Sequence, residues 1–336
     1  MSAILAIDSF FAPFAAPGRP GASVLVLHGD AVVVRRAYGL ADVSTARPAT
    51  PETNYRLASL TKGFTAAAVL LLVRDGTLTL DTAVTQVLTT FPAYGDSIRI
   101  RHLLSHTSGV RDYEDFVPDS QMSQVRDADV LKLLCARTKS TYFAPGAAFR
   151  YSNSAYALLA LIVEQISGLR FADFLRDRVF QPAGMTATVA FEDGISTVPR
   201  RAFGHTVRGE SVLPTDQNNT SAVLGDGGVY SSIDDLAHWI RALERGVVLD
   251  RAEFAMATTP VVFPDGSTSN YGFGWYVDRF VGHRRFRHHG ETTGFTNAIQ
   301  LFPDEQLAIV ILTNRSDSAP WKIAEEIAAM LFPPHS

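Results

Sequence analysis

Arg56-Leu-Ala-Ser-Leu-Thr-Lys-Gly-Phe64 sets a serine and a lysine three residues apart at the start of a long apolar run. That run, Phe64-Thr-Ala-Ala-Ala-Val-Leu-Leu-Leu-Val73, closes on Asp75-Gly76 and reads as a buried helix with a glycine stop. Ser59 then lies at or near the helix N-terminus. Residues three apart share a helix face, so hydroxyl and amine can meet, and the positive end of the dipole favours an anion there. Lysine is also scarce: of 30 basic residues only Lys62, Lys132, Lys139 and Lys322 are lysines. Arginine stays protonated almost everywhere, whereas a desolvated lysine can lose its proton and act as a base. The spacing alone also fits a serine N-cap followed by a solvated lysine, so the rest of the chain must decide.

Composition narrows the classes. A chain of 336 residues with 46% hydrophobic and 19% charged content can bury one large core or two intimate subdomains. A net charge of -4 offers no basic field for nucleic acid, and no apolar run is long enough to span a membrane. The N-terminal stretch from Met1 to Pro13 lacks a basic flank and a cleavage site and reads as a short amphipathic helix. Cys135 is the sole cysteine, which excludes an internal disulfide and fits a reducing compartment. The expected location is cytoplasmic, or periplasmic for a processed chain.

The fold class expected is α+β. Ser23 to His28, Gly29-Asp30 and Ala31 to Ala37 read as a β-hairpin. Tyr271–Asp278, Arg284–His289, Thr296–Phe302 and Leu307–Thr313 read as strands, with a helix over Ala319–Leu331. Helical patterns fill the middle: Leu60–Arg74, Asp81–Leu88, Asp127–Ala136, Ser154–Ser167, Phe171–Val179 and Ile233–Glu244. The economical arrangement is an antiparallel sheet of about five strands drawn from both chain ends and flanked by terminal helices. A mainly helical region over 59–224 is inserted between a sheet region formed by 1–58 and 225–336, giving a single domain. The basic segment Arg284-Arg-Phe-Arg287 reads as a solvated or salt-bridged edge.

Two further constellations could carry chemistry. Tyr151-Ser-Asn153 stands at the entrance to a helix, where a tyrosine beside a lysine can pass protons and an asparagine amide can hold a carbonyl or position the lysine. The bland alternative makes Tyr151 a packed loop residue and Asn153 a helix cap. His288-His-Gly-Glu291, with Gly294 beyond it, ends one strand and leads to the next. Glycine there suggests close backbone approach, with main-chain amides available to an oxyanion and His288 as a donor near substrate. Tyr113 reads equally as a residue lining the substrate cleft or as an aromatic on a surface loop. His102 and His106, four apart, could share a helix face and hold a metal, although no His-Glu-x-x-His accompanies them.

Taken together, these motifs resemble the serine β-lactamase and penicillin-binding-protein superfamily. The likeness is to its class C-like branch, with D-alanyl-D-alanine carboxypeptidases, D-aminopeptidases and family-VIII carboxylesterases. Beyond Ser59-Leu-Thr-Lys62, Tyr151-Ser-Asn153 and His288-His-Gly290, the resemblance extends to four further stretches in the same order. They are Tyr38-Gly-Leu-Ala-Asp42, Ile100-Arg-His-Leu-Leu-Ser-His-Thr-Ser-Gly109, Pro145-Gly146 and Gly227-Gly-Val-Tyr-Ser231. The resemblance implies a cofactor-free, metal-free serine hydrolase in which Ser59 attacks a carbonyl, Lys62 and Tyr151 move its proton, and water releases an acyl-enzyme. It also implies an oxyanion hole made by the amides of Ser59 and Glu291, with Gly290 beside it and Asn153 touching the acyl amide or Lys62.

Where many β-lactamases carry Lys-Thr-Gly, this chain has His288-His289-Gly290. A histidine is not a permanent cation, so carboxylate-bearing β-lactams are expected to turn over weakly or not at all. Small carboxylic esters and D-amino-acid amides or peptides are the expected substrates. The alternatives are a class C-like β-lactamase or D,D-carboxypeptidase, and a penicillin-binding sensor that acylates without turnover. The sequence leaves the oligomeric state open.

Overall fold

The computed structural model describes residues 3–118, 120–137 and 141–332; Lys139 lies outside them. Among the described residues, six strands form the main sheet: β1 (Ala22–His28), β2 (Ala31–Tyr38), β3 (Tyr276–Phe280), β4 (His283–Thr292), β5 (Phe295–Phe302) and β6 (Leu307–Thr313). Their order is β3-β4-β5-β6-β1-β2, antiparallel throughout, so the two chain ends meet where β1 pairs with β6. Five helices pack around this sheet and the site: α1 (Ala3–Phe10), α2 (Thr61–Arg74), α3 (Asn153–Ser167), α4 (Ile233–Arg245) and α5 (Pro320–Leu331).

Strand alternation divides the apolar residues between two cores. Val24, Val26, Ile309 and Ile311 join Ile7, Phe11, Ala324 and Ile327 beneath the terminal helices. Leu25, Leu27, Val310 and Leu312 face the other way, into a larger core shared with α2, α3 and α4. Every residue of β5 and β6 is buried, because helices cover both faces. No helix among the described residues is long and apolar enough to cross a membrane.

Several boundaries differ from expectation. The strand expected from Tyr271 begins only at Tyr276. Before it, an added Cβ at Gly272 would meet the Ala257 carbonyl at 2.2 Å and one at Gly274, with φ +78°, the Lys62 carbonyl at 2.7 Å, so this backbone is pressed onto other elements and cannot join the ladder. The helix expected over 81–88 forms only at Val84–Val87, since Ala83 bridges to Arg99. The helix from Phe171 breaks into a wide turn over Arg176–Phe180. A small sheet that pattern reading missed pairs Tyr55–Arg56 with Val229–Ser231, and that strand with Val189–Ala190. Arg284, Arg285 and Arg287 are tied to Asp304, Asp278 and Glu325, as a salt-bridged face requires.

Candidate active site

Ser59 occupies one turn of 3-10 helix, Ala58–Leu60, that runs directly into α2. It therefore does not cap α2 with its side chain. Ala58, immediately before it, has φ +50°, a left-handed conformation costly for any residue with a Cβ. The turn is clamped from two sides. A Cβ added to Gly227 would touch Ala58 at 3.5 Å, and one added to Gly290 would stand 2.1 Å from the Leu57 carbonyl, which only glycine permits. Gly290 thus lets β4 lie against the nucleophile turn. The close backbone approach expected at this glycine is made onto the turn that carries Ser59.

Lys62 is fully buried in the first turn of α2. Its Nζ lies 3.0 Å from Ser59 Oγ, 2.9 Å from Asn153 Oδ1 and 2.8 Å from the main-chain carbonyl of Asp226. The last two atoms can only accept. A neutral amine has two protons, so both are taken by Asn153 and Asp226, and the lone pair is left facing the Ser59 hydroxyl. Burial pulls the Lys62 pKa down to about 8, against the pull of the neighbouring carboxylates of Asp226, Asp112 and Glu114. The geometry therefore allows the amine, when neutral, to accept the Ser59 proton.

Asn153 is free for this because Ser152, not Asn153, caps α3: the Ser152 hydroxyl accepts from the Ala155 amide at 3.3 Å. The Asn153 amide nitrogen reaches Glu114 Oε1 at 3.4 Å, and its main-chain N–H donates to Asp112 Oδ2 at 2.7 Å. The Tyr151 ring lies 4.9 Å from Lys62 Nζ. Its hydroxyl is buried beside Ser59 without closing a hydrogen bond of full geometry. Burial pushes the Tyr151 pKa far up, so it is a phenol at neutral pH.

The remaining expected residues lie differently. His288 is buried rather than presented to a substrate. Its Nδ1 donates to the His289 carbonyl at 2.7 Å, so its Nε2 must accept from the Tyr271 hydroxyl at 3.1 Å. Both nitrogens are spent, and burial beside Lys62 holds the ring neutral, well below its ordinary pKa. The expectation that His288 donates to a substrate carboxylate is corrected by this tautomer. Tyr113 is likewise buried behind Lys62, its hydroxyl donating to Asp226 Oδ2 at 3.0 Å, and does not line a cleft. Glu291 is exposed. Because β3 ends opposite Arg287, one edge of β4 beyond that point has no neighbouring strand among the described residues. The metal reading of His102 and His106 fails on geometry: the helix carrying His102 stops at Leu104, and His106 sits at φ +56° outside it.

This arrangement has counterparts in known proteins. A family model described as Beta-lactamase matches residues 7–330. The chain belongs to the β-lactamase family. Within that family, it is 32% identical over 317 residues to penicillin-binding protein 4* of Bacillus subtilis, covering 90% of this chain and 70% of the relative. It is 30% identical over 313 residues to a D-aminopeptidase of Brucella canis, covering 89% of this chain but only 57% of that protein. Among solved structures, the octameric penicillin-binding protein homologue from Pyrococcus abyssi superposes with a TM-score of 0.84 at 26% identity, covering 98% of this chain and 77% of the other.

Sequence reading missed part of this β-lactamase-family site. The motif taken as Gly227-Gly-Val-Tyr-Ser231 begins one residue past Asp226, and an acid inside Gly225-Asp-Gly-Gly228 was the signal available. Asp112 and His106 were also unread as neighbours of Lys62 and Tyr151. The His106 Nδ1 accepts from the Ser152 amide at 3.1 Å, and its ring lies tilted against that of Tyr151, with centroids 4.2 Å apart.

Proposed function

We propose that the chain is a serine hydrolase that forms an acyl-enzyme at Ser59 and acts on small carboxylic esters or on amides and peptides of D-amino acids. The observation that carries this reading is the Lys62 hydrogen-bond set, whose two acceptor-only partners leave the amine lone pair on the Ser59 hydroxyl. Ser59 Oγ adds to the substrate carbonyl carbon as Lys62 takes its proton. As the carbon–leaving-group bond breaks, the Tyr151 phenol gives its proton to the departing alkoxide or amine and is reprotonated by the Lys62 ammonium, which returns to the neutral amine. Water then adds to the ester at Ser59, giving up a proton along the same path, and the acid leaves. The Ser59 and Glu291 amides serve as oxyanion donors, a role supported by the open edge of β4.

The neutral, internally satisfied His288 supports uncharged ester and amide substrates over carboxylate-bearing β-lactams. The D-aminopeptidase relative supports a D-amino-acid acyl group. The test is hydrolysis of a short-chain p-nitrophenyl ester by the wild type and by Ser59→Ala at neutral pH. The expected result is a loss on the order of a thousandfold or more. Comparison of D- and L-aminoacyl p-nitroanilides then reads the stereochemical preference. Equal rates for wild type and Ser59→Ala would overturn the nucleophile assignment, and turnover restricted to β-lactams would overturn the substrate class.

A further inference from the structure

Asp226 is a buried carboxylic side chain that this mechanism leaves unused. It lies in the short helical turn Leu224–Gly227, whose free N–H groups at Leu224 and Gly225 are taken by the Asp127 carboxylate at 2.8 and 3.0 Å. The Gly225 carbonyl accepts from the Thr65 hydroxyl of α2 at 2.7 Å, and Arg56 reaches the Ser221 carbonyl at 2.8 Å. The turn is thereby fixed to the helix that carries Lys62. Asp226 acts on the amine through two groups. Its main-chain carbonyl takes one Lys62 proton at 2.8 Å, and its carboxyl, anchored by the Tyr113 hydroxyl at 3.0 Å, is buried close by.

We propose that Asp226 is a positioning residue for the general base: Tyr113 locks its carboxyl, so that its own carbonyl orients the Lys62 lone pair toward Ser59 while its charge governs when that lone pair is free. This rests on the reading of Lys62 as base. A buried carboxylate favours the ammonium form of Lys62, so Asp226 delays the appearance of the active amine as pH rises. The other groups facing Lys62 either favour the ammonium or carry no negative charge. Asp112 and Glu114, from the turn at 113–115 and the residue before it, also favour the ammonium. His106, His288, Tyr151 and Tyr156 surround it without negative charge at neutral pH. Burial raises the pKa of Asp226 itself, and Lys62 opposes the rise, so the two groups titrate as one system.

The test is the pH dependence of kcat/KM on a neutral p-nitrophenyl ester for wild type, Lys62→Ala and Asp226→Asn. Asparagine keeps the shape and can still accept from Tyr113. Wild type should show an acid limb, and Lys62→Ala should lose activity at every pH; persistence of wild-type activity in Lys62→Ala would refute the base reading itself, separately from the role of Asp226. For Asp226→Asn the limb should move to lower pH by about one unit, so that below the limb the activity relative to the plateau rises roughly tenfold. Should Asp226→Asn not fold, Tyr113→Phe removes the donor that favours the carboxylate and should move the limb the same way by less. A limb that stays in place in the folded variant, with only the plateau reduced, would show that Asp226 merely holds the turn and overturns the proposal.

Discussion

Lys62 is the residue where burial, hydrogen bonding and charge all meet, and the predictions at this scale follow from it. With a pKa near 8, the neutral amine grows as pH rises and is lost as pH falls, so kcat/KM on a neutral ester should climb through an acid limb centred near 8 and then level. A rate independent of pH between about 6 and 9 would contradict an amine base. Lys62→Arg should abolish turnover, because a guanidinium cannot release its proton in this range and its planar fork cannot reproduce the three contacts. His288 gives a sharper prediction. Since its two nitrogens serve the His289 carbonyl and the Tyr271 hydroxyl, His288→Ala should lower activity on acidic and neutral esters by the same factor. Paired kcat/KM values would read this, and a selective loss on the acidic ester would restore a carboxylate-binding role.

At the scale of elements, the legible and illegible parts separate for physical reasons. Helix α2 was readable because Thr61 through Leu72 are all buried, which demands an unbroken apolar run, and Gly76 at φ +72° supplies its stop. The strands β5 and β6 were readable for the same reason. What could not be read is contact between turns distant in sequence: the small sheet of two- and three-residue strands at 55, 189 and 229, and the retreat of β3 to Tyr276, depend on backbone packing that leaves no periodic trace. The Ser59, Lys62, Tyr151 and Asn153 cluster was legible through its motifs, whereas Asp226 and Asp112 act through a main-chain carbonyl and a carboxylate that no spacing rule announces. Ser152→Ala tests an element directly. Loss of the α3 cap should cost about 1 kcal/mol of stability and loosen Asn153, lowering Tm slightly and kcat more. If both are unchanged, the cap does not hold the site.

At the scale of the whole molecule, a buried side chain ties the sheet to the segment leading into the Ser59 turn. Asn297, on β5, donates to the Arg56 carbonyl at 2.8 Å and accepts from the Thr313 amide of β6 at 3.2 Å. It therefore ties the chain-terminal sheet to the segment that leads into Ser59, and it is completely shielded from water. Removing it leaves a buried donor and a buried acceptor unpaired, each costing about 1–3 kcal/mol, so Asn297→Ala should destabilise the protein by roughly 2–5 kcal/mol. Thermal unfolding should show a correspondingly lower Tm. Because the sheet and the helical core share this link, kcat of the folded variant should fall as well, through displacement of Ser59 relative to Lys62, while the pH of the acid limb stays where it is. A variant that unfolds earlier yet keeps full kcat at low temperature would show that the clamps at Gly227 and Gly290 hold the nucleophile turn without help from Asn297.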